Sequence, residues 1–137
     1  EAAHAALGEH STPVRRIALG SAALTAWDLF LDPQMVGEGY WVWARRGLYR
    51  GIPLGNFVGW FLTGLGVMAA LEALLPPNRY ADGCADADGA LVAEYSFMGV
   101  METVGFARYF RDPVVAVVGG LGMLPVAGAA LIGKLQG

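Results

Sequence analysis

The sequence has few of the residues that metal, redox or disulfide chemistry requires. It contains one cysteine, Cys84, and two histidines, His4 and His10, which lie in the polar N-terminal stretch. A lone cysteine excludes an intrachain disulfide framework, and no HExxH motif or histidine cluster is present. P-loop and dinucleotide-binding motifs are also missing. The sequence therefore predicts no metal, nucleotide or flavin cofactor.

Charge is equally sparse. Charged residues make up 15% and hydrophobic residues 55% of the 137 residues, against about 25% and about 45–50% in soluble domains. The formal net charge is −3, so the composition does not favour nucleic acid as a partner. The apolar excess lies in long blocks, which indicates a membrane protein rather than a soluble domain.

Four apolar blocks predict transmembrane helices near residues 14–31, 56–75, 89–110 and 113–132. Each block has close to the roughly 20 residues that a membrane span needs. Only helices and closed barrels satisfy the backbone in hydrocarbon, and the two-residue alternation of barrel strands is absent. We predict an all-α integral membrane bundle of about four helices, forming a single membrane domain over residues 1–137.

Prolines mark several of the predicted helix ends. Pro33 disfavours helical backbone at Asp32, so the first helix is expected to break or kink there. The pair Pro76-Pro77 ends the second helix. Asp112 followed by Pro113 is typical of a helix start, with Asp112 as the N-cap.

A connector rich in aromatic residues, glycine and proline, residues 33–55, separates the first two blocks. It is too aromatic for a plain solvated loop and too polar for a span, which is typical of the membrane interface. Tyr40, Trp41, Trp43 and Trp60 are candidate substrate-binding residues, because aromatic ring faces stabilise a carbocation. The alternative is an aromatic belt at headgroup level. The two roles are compatible, since a lipid substrate would enter from that depth.

Acidic residues in and beside the first block are the leading catalytic candidates. Asp28 and Asp32 are four residues apart, so a continuous helix places them on one face. Two close carboxyl groups cannot both ionise cheaply, so one would keep a proton to give to a substrate while the other activates water. The alternative is that Asp32 caps a helix that starts at Pro33, with Asp28 at the membrane interface.

Three further polar residues are candidates for the same site. Glu102 and Glu94 lie in the third block, and Glu102 is the deeper of the two in the apolar sequence. The alternatives are a structural pair between Glu102 and an arginine such as Arg108, and a Glu94 that reaches the surface. Asn56 begins the second block, where it could orient water or substrate, or cap the helix.

The segment from Trp27 to Trp60 also resembles a known family. The resemblance lies in Trp27-Asp28-Leu29-Phe30-Leu31-Asp32-Pro33, Gly39-Tyr40-Trp41-Val42-Trp43, Gly47-Leu48-Tyr49-Arg50-Gly51-Ile52-Pro53 and Asn56-Phe57-Val58-Gly59-Trp60. These motifs resemble the carotenoid biosynthesis membrane protein family, which includes hydratases that act on gamma-carotene and bisanhydrobacterioruberin. Members of that family are longer, with additional spans ahead of this region. The resemblance therefore implies that the chain is a C-terminal portion of a longer protein.

The resemblance implies a carotenoid hydratase of a bacterial or archaeal cell membrane. The reaction would add water, without a cofactor, to the terminal isopropylidene double bond of a linear carotenoid and give a tertiary alcohol. We expect Asp28 or Asp32 to donate the proton and the other to orient water, with Glu102 as the rival acid.

Two alternatives to hydration stay open. One is another acid-catalysed end-group reaction, such as cyclisation, which would use the same residues without water capture. The other is a non-enzymatic membrane subunit that binds or scaffolds other carotenoid biosynthesis enzymes. The expected partners are a lipid-soluble carotenoid and membrane lipids.

Overall fold

A computed structural model describes residues 1–40, 42–75 and 85–136. These residues form five α-helices and one 3-10 helix, Gly8–His10. The α-helices are α1 (Ala2–Leu7), α2 (Pro13–Gly37), α3 (Leu54–Leu74), α4 (Ala85–Arg108) and α5 (Pro113–Gln136). No sheet occurs within the described ranges. The predicted all-α class is confirmed, and each of the four apolar blocks overlaps one long helix.

Helices α3 and α5 are long and apolar enough to cross a membrane. Their apolar windows, Leu54–Leu74 and Pro113–Leu135, have mean hydropathies of 1.7 and 2.1. Most of the α3 surface faces outward, as at Leu62, which is 60% exposed, and an extended apolar surface of this kind suits contact with lipid. In the described part of the chain, α2 and α4 do not meet the same criterion, so the four-span topology stays a prediction.

The long helices pack with α2 between α3 and α5, and with α4 on α5. The short helix α1 lies against α5, α2 and α4. Small residues allow the closest approach of α2 and α3: a Cβ atom added to Gly64 would lie 3.1 Å from Ser21 Cα. On its other side, α2 contributes Ala26 and Phe30 to the apolar core that it shares with α4 and α5. Different faces of α2 therefore serve the core and the contact with α3.

Helix α2 continues through Pro33 to Gly37, so of the break or kink expected at Asp32 the break is wrong, and the kink stays a prediction. Pro33 has no N–H group to donate to the carbonyl of Leu29, four residues earlier. That carbonyl accepts a hydrogen bond from the hydroxyl of Tyr49 instead, at 2.7 Å. A side chain from the connector thus replaces the missing backbone bond, and the helix extends by about one turn beyond Pro33.

The connector consequently begins near residue 38 rather than 33, and it is fixed at several points. Two isolated bridges, Gly47 with Gly51 and Tyr49 with Ile52, fold it into a tight turn. Arg50 forms an ion pair with Asp112. The connector is therefore attached to both α2 and the start of α5.

The start of α5 agrees with the sequence. Asp112 Oδ1 accepts a hydrogen bond from the Val115 N–H at 3.1 Å, and the helix begins at Pro113, which confirms the predicted N-cap. The predicted stop at Pro76-Pro77 falls outside the described residues. Helix α3 ends at Leu74, one residue before the end of the predicted span.

Candidate functional site

Two buried carboxyl groups on α2 meet one amide side chain on α3. Asp28 and Asp32 are each 2% exposed. The Nδ2 of Asn56 donates a hydrogen bond to Asp28 Oδ2 at 3.1 Å and a second to Asp32 Oδ2. The unbroken helix puts both carboxyl groups on the face of α2 that packs on α3. These three residues are called the acid cluster below.

The capping roles considered for Asp32 and Asn56 are both wrong. Asp32 lies inside α2, five residues before its last residue, Gly37, so it cannot cap a helix that starts at Pro33. The N-cap of α3 is Pro53, and Asn56 lies in the first turn of that helix. The amide of Asn56 is engaged with the two carboxyl groups across the helix interface instead.

The acid cluster is short of hydrogen-bond donors. One neutral amide serves both carboxyl groups, and Asp28 Oδ1 is buried without a partner among the described residues. Two adjacent anions in a buried site repel each other, and a single proton shared by the pair removes that repulsion. The arrangement is therefore suited to hold one carboxylic acid beside one carboxylate.

Tyr49 supports the cluster from the connector, and the sequence reasoning did not single it out as a candidate. Its hydroxyl binds the carbonyl of Leu29, which lies between Asp28 and Asp32 in the chain, and its ring packs edge-on against Phe57 at 5.8 Å. Burial, with the nearby Asp112 carboxylate, raises the pKa of Tyr49 to about 12, so the hydroxyl keeps its proton at neutral pH. The signal in the sequence that could have predicted this role was Pro33, because a proline inside a helix leaves the carbonyl four residues earlier without a hydrogen-bond donor.

The structure does not gather the aromatic candidates around the acid cluster. Tyr40 is 75% exposed and Trp60 is 37% exposed, so both rings lie largely on the outer surface. Trp43 is half-buried, with its indole Nε1 buried and unpaired among the described residues. Trp41 falls outside the described residues. An aromatic wall beside the substrate stays a prediction.

The two glutamates of α4 do not join the cluster either. Glu102 is half-buried, and it forms no hydrogen bond or ion pair within the described part of the chain, including the considered pair with Arg108. Glu94 is exposed, as its alternative interpretation required. Helix α4 packs chiefly on α5, which keeps both side chains away from the α2–α3 interface that holds Asn56.

A cavity of about 540 Å³ lies among the five α-helices. Its walls come from α1, α2, α3, α4 and α5, and along α2 it extends from Arg16 to Trp27. The lining is mainly apolar. Asp28, Asp32 and Asn56 are not among the lining residues, so the cavity stops short of the cluster. It is called the apolar cavity below.

Comparison with known proteins supports the family suggested by the sequence. No curated protein and no solved structure matches the chain. The family model described as "Carotenoid biosynthesis protein" matches residues 2–125, which include the acid cluster, the connector and the first half of α5. A match over most of the chain shows the family. The chain therefore belongs to the carotenoid biosynthesis protein family.

Proposed function

We propose that the chain catalyses, as part of its natural protein, the addition of water to the terminal double bond of a linear carotenoid. Membership of the family gives the role in carotenoid biosynthesis. The observation that carries the proposed reaction is the acid cluster, in which two buried carboxyl groups share one amide donor. Hydration of an alkene needs an acid and a water-activating base side by side, and the cluster offers both.

The first step is protonation of the alkene by Asp28. A simple alkene is a weak base, so the acid must be well placed in a site that excludes water. Asp28 is assigned as the donor because its Oδ1 is buried and has no partner among the described residues, whereas Asn56 donates to the Oδ2 atoms. The O–H bond breaks, a C–H bond forms at the less substituted carbon, and a tertiary cation remains.

The second step is capture of the cation by water. A carbon–oxygen bond forms, and the Asp32 carboxylate takes the proton that the water loses. Asn56 stays bonded to both carboxyl groups, which keeps them in register through the two steps. Transfer of the proton from Asp32 back to Asp28 restores the starting state. The net reaction adds one water and transfers no electrons.

Pigment analysis of cells that make a linear carotenoid tests the proposal. The natural full-length protein, Asp28→Asn and Asp32→Asn are expressed at equal membrane levels, and carotenoids are separated and weighed by mass spectrometry. Loss of a placed acid or base slows turnover by about 10²–10⁴-fold, so the unhydrated carotenoid should accumulate. Glu38→Gln, an exposed acid just after α2, is the control that should hydrate normally.

The products separate hydration from its alternatives. A cyclic end group with no gain of water would identify cyclisation, which shares the protonation step. Hydrated product at wild-type rates in both aspartate variants would contradict the acid mechanism and favour a binding or scaffolding subunit.

A further inference from the structure

We propose that the apolar cavity binds the neutral hydrocarbon chain of a linear isoprenoid polyene, with the end of that chain directed at the acid cluster. The identity of the occupant rests on the proposed function. The shape, charge and position of the cavity are observed independently of it.

The shape of the cavity suits an extended chain. One wall follows α2 from Arg16 to Trp27, an offset of eleven residues, or about 16 Å at the α-helical rise. Gly20 and Ala23, which have little or no side chain, are part of this wall. Its volume of about 540 Å³ lies within the roughly 300–1,000 Å³ of small-molecule sites. A lining that follows one helix over this length favours an extended ligand over a compact one.

The opposite walls are apolar and adaptable. Methionine and leucine side chains line them from α3, at Met68 and Leu71, and Met98 with Tyr95 lines them from α4. Methionine adjusts its shape at little cost and contacts π systems favourably through sulfur. These walls therefore suit a conjugated hydrocarbon.

Charge at the outer end of the cavity argues for a neutral occupant. Arg16 donates from Nε and from a terminal nitrogen to the two carboxylate oxygens of Glu72, at 2.7 and 2.9 Å, and also to Ser11 Oγ at 3.1 Å. A bidentate pair of this kind satisfies the guanidinium. A fatty-acid carboxylate or a prenyl diphosphate would compete with Glu72 for the Arg16 guanidinium, whereas a hydrocarbon leaves the pair intact.

The inner end of the cavity leads toward the acid cluster. Leu24 lines the cavity and lies four residues before Asp28, so the two side chains share one face of α2. Trp27, the neighbour of Asp28, forms the end of the lining on α2. A chain lying along α2 and passing Leu24 would bring its terminal double bond to the buried carboxyl group of Asp28.

Binding of lycopene, an achiral linear polyene, to the detergent-purified full-length protein tests the inference. An achiral pigment has visible circular dichroism only when a chiral site holds it, so this signal separates bound from micellar pigment. Leu24→Trp fills the cavity and should weaken binding by about tenfold or more. Leu62→Trp, on the outward surface of α3, is the matched control that should bind as wild type does.

A second pair of variants guards against a folding defect in the first. Leu71→Trp lines the cavity from α3, and Leu74→Trp, 82% exposed, lies outside it on the same helix. The inference is overturned if a correctly folded Leu24→Trp or Leu71→Trp variant binds lycopene as the wild type does. It is also overturned if equimolar palmitate displaces lycopene. Asp28→Asn should bind lycopene normally while failing to hydrate it. A cavity that binds lycopene without any effect of Asp28 on turnover would contradict the proposed hydration and leave the binding site in place.

Discussion

The hydroxyl of Tyr49 lies 2.7 Å from the carbonyl oxygen of Leu29, the one carbonyl in α2 that Pro33 leaves without its helical donor. This single bond lets the helix run past the proline. It also joins the connector to the part of α2 that carries the acid cluster. The order of the site therefore depends on a residue twenty positions away in the chain.

Replacing Tyr49 by phenylalanine should destabilise the fold while keeping the ring contact with Phe57. The Leu29 carbonyl then loses its donor, which costs about 1 kcal/mol of the free energy of unfolding. Thermal unfolding in detergent measures the change. Tyr109→Phe is the control, since that residue is 82% exposed. Equal stability of the two variants would contradict the role given to Tyr49.

The effect of Tyr49 should depend on Pro33. In a Pro33→Ala background the restored N–H can donate to the Leu29 carbonyl, so the hydroxyl becomes less necessary. Tyr49→Phe should then cost less than it does in the natural chain. A double-mutant cycle on unfolding free energies measures this coupling. Additive effects of the two substitutions would show that the hydroxyl acts elsewhere.

Tyr49 should also link stability to alkaline pH. Its pKa is raised from 10.0 to about 12, so the folded protein favours the protonated hydroxyl. The corresponding stability is fully present below pH 10 and is lost as the pH rises toward 12. Unfolding measured from pH 9 upward should show this loss in the natural chain and less of it in Tyr49→Phe. Identical pH profiles would contradict the assignment.

Two glycines of α3 should respond differently to the same substitution. A Cβ on Gly64 would lie 3.1 Å from Ser21 Cα, whereas one on Gly66 would have no atom within 4 Å. Gly64→Leu should push α3 away from α2 and cost about 1–3 kcal/mol of stability, whereas Gly66→Leu should not. Turnover should fall with Gly64→Leu because Asn56 moves away from the carboxyl groups. Unfolding and pigment analysis of both variants check this contrast.

Asn56→Leu should leave both carboxyl groups of the acid cluster without their donor. The expected cost is about 1–3 kcal/mol of stability, because buried polar groups lose their partner. The cost should shrink when Asp28→Leu and Asp32→Leu are present in the same chain, since no carboxyl group then needs a donor. Unfolding of the single, double and triple variants measures the difference. An unchanged cost would show that Asn56 acts through other contacts.

The sequence was sufficient to predict the positions of the helices, but not the contacts between them. Apolar blocks located α2 to α5, and Asp112 with Pro113 marked the start of α5 correctly, because spans and caps depend on neighbouring residues. Pro33 led to a wrong prediction of a helix break, because the hydrogen bond that it removes can be seen from the local sequence. The Tyr49 hydroxyl that replaces this bond comes from a distant turn. Asp28, Asp32 and Asn56 were recognised one by one. Their meeting depends on how α2 packs on α3, which residue spacing within each segment does not specify.

The Arg16–Glu72 pair and the acid cluster lie at opposite ends of the α2–α3 interface. Arg16 and Asp32 are sixteen residues apart in α2, and so are Asn56 and Glu72 in α3. The two antiparallel helices are therefore joined by two polar contacts, separated by the same number of residues on each helix. Sliding one helix by a single turn, about 5.4 Å, would break the ion pair and the hydrogen bonds of the acid cluster together. In lipid, where apolar side chains discriminate weakly between alternative alignments, this paired spacing selects one alignment and rejects its neighbours.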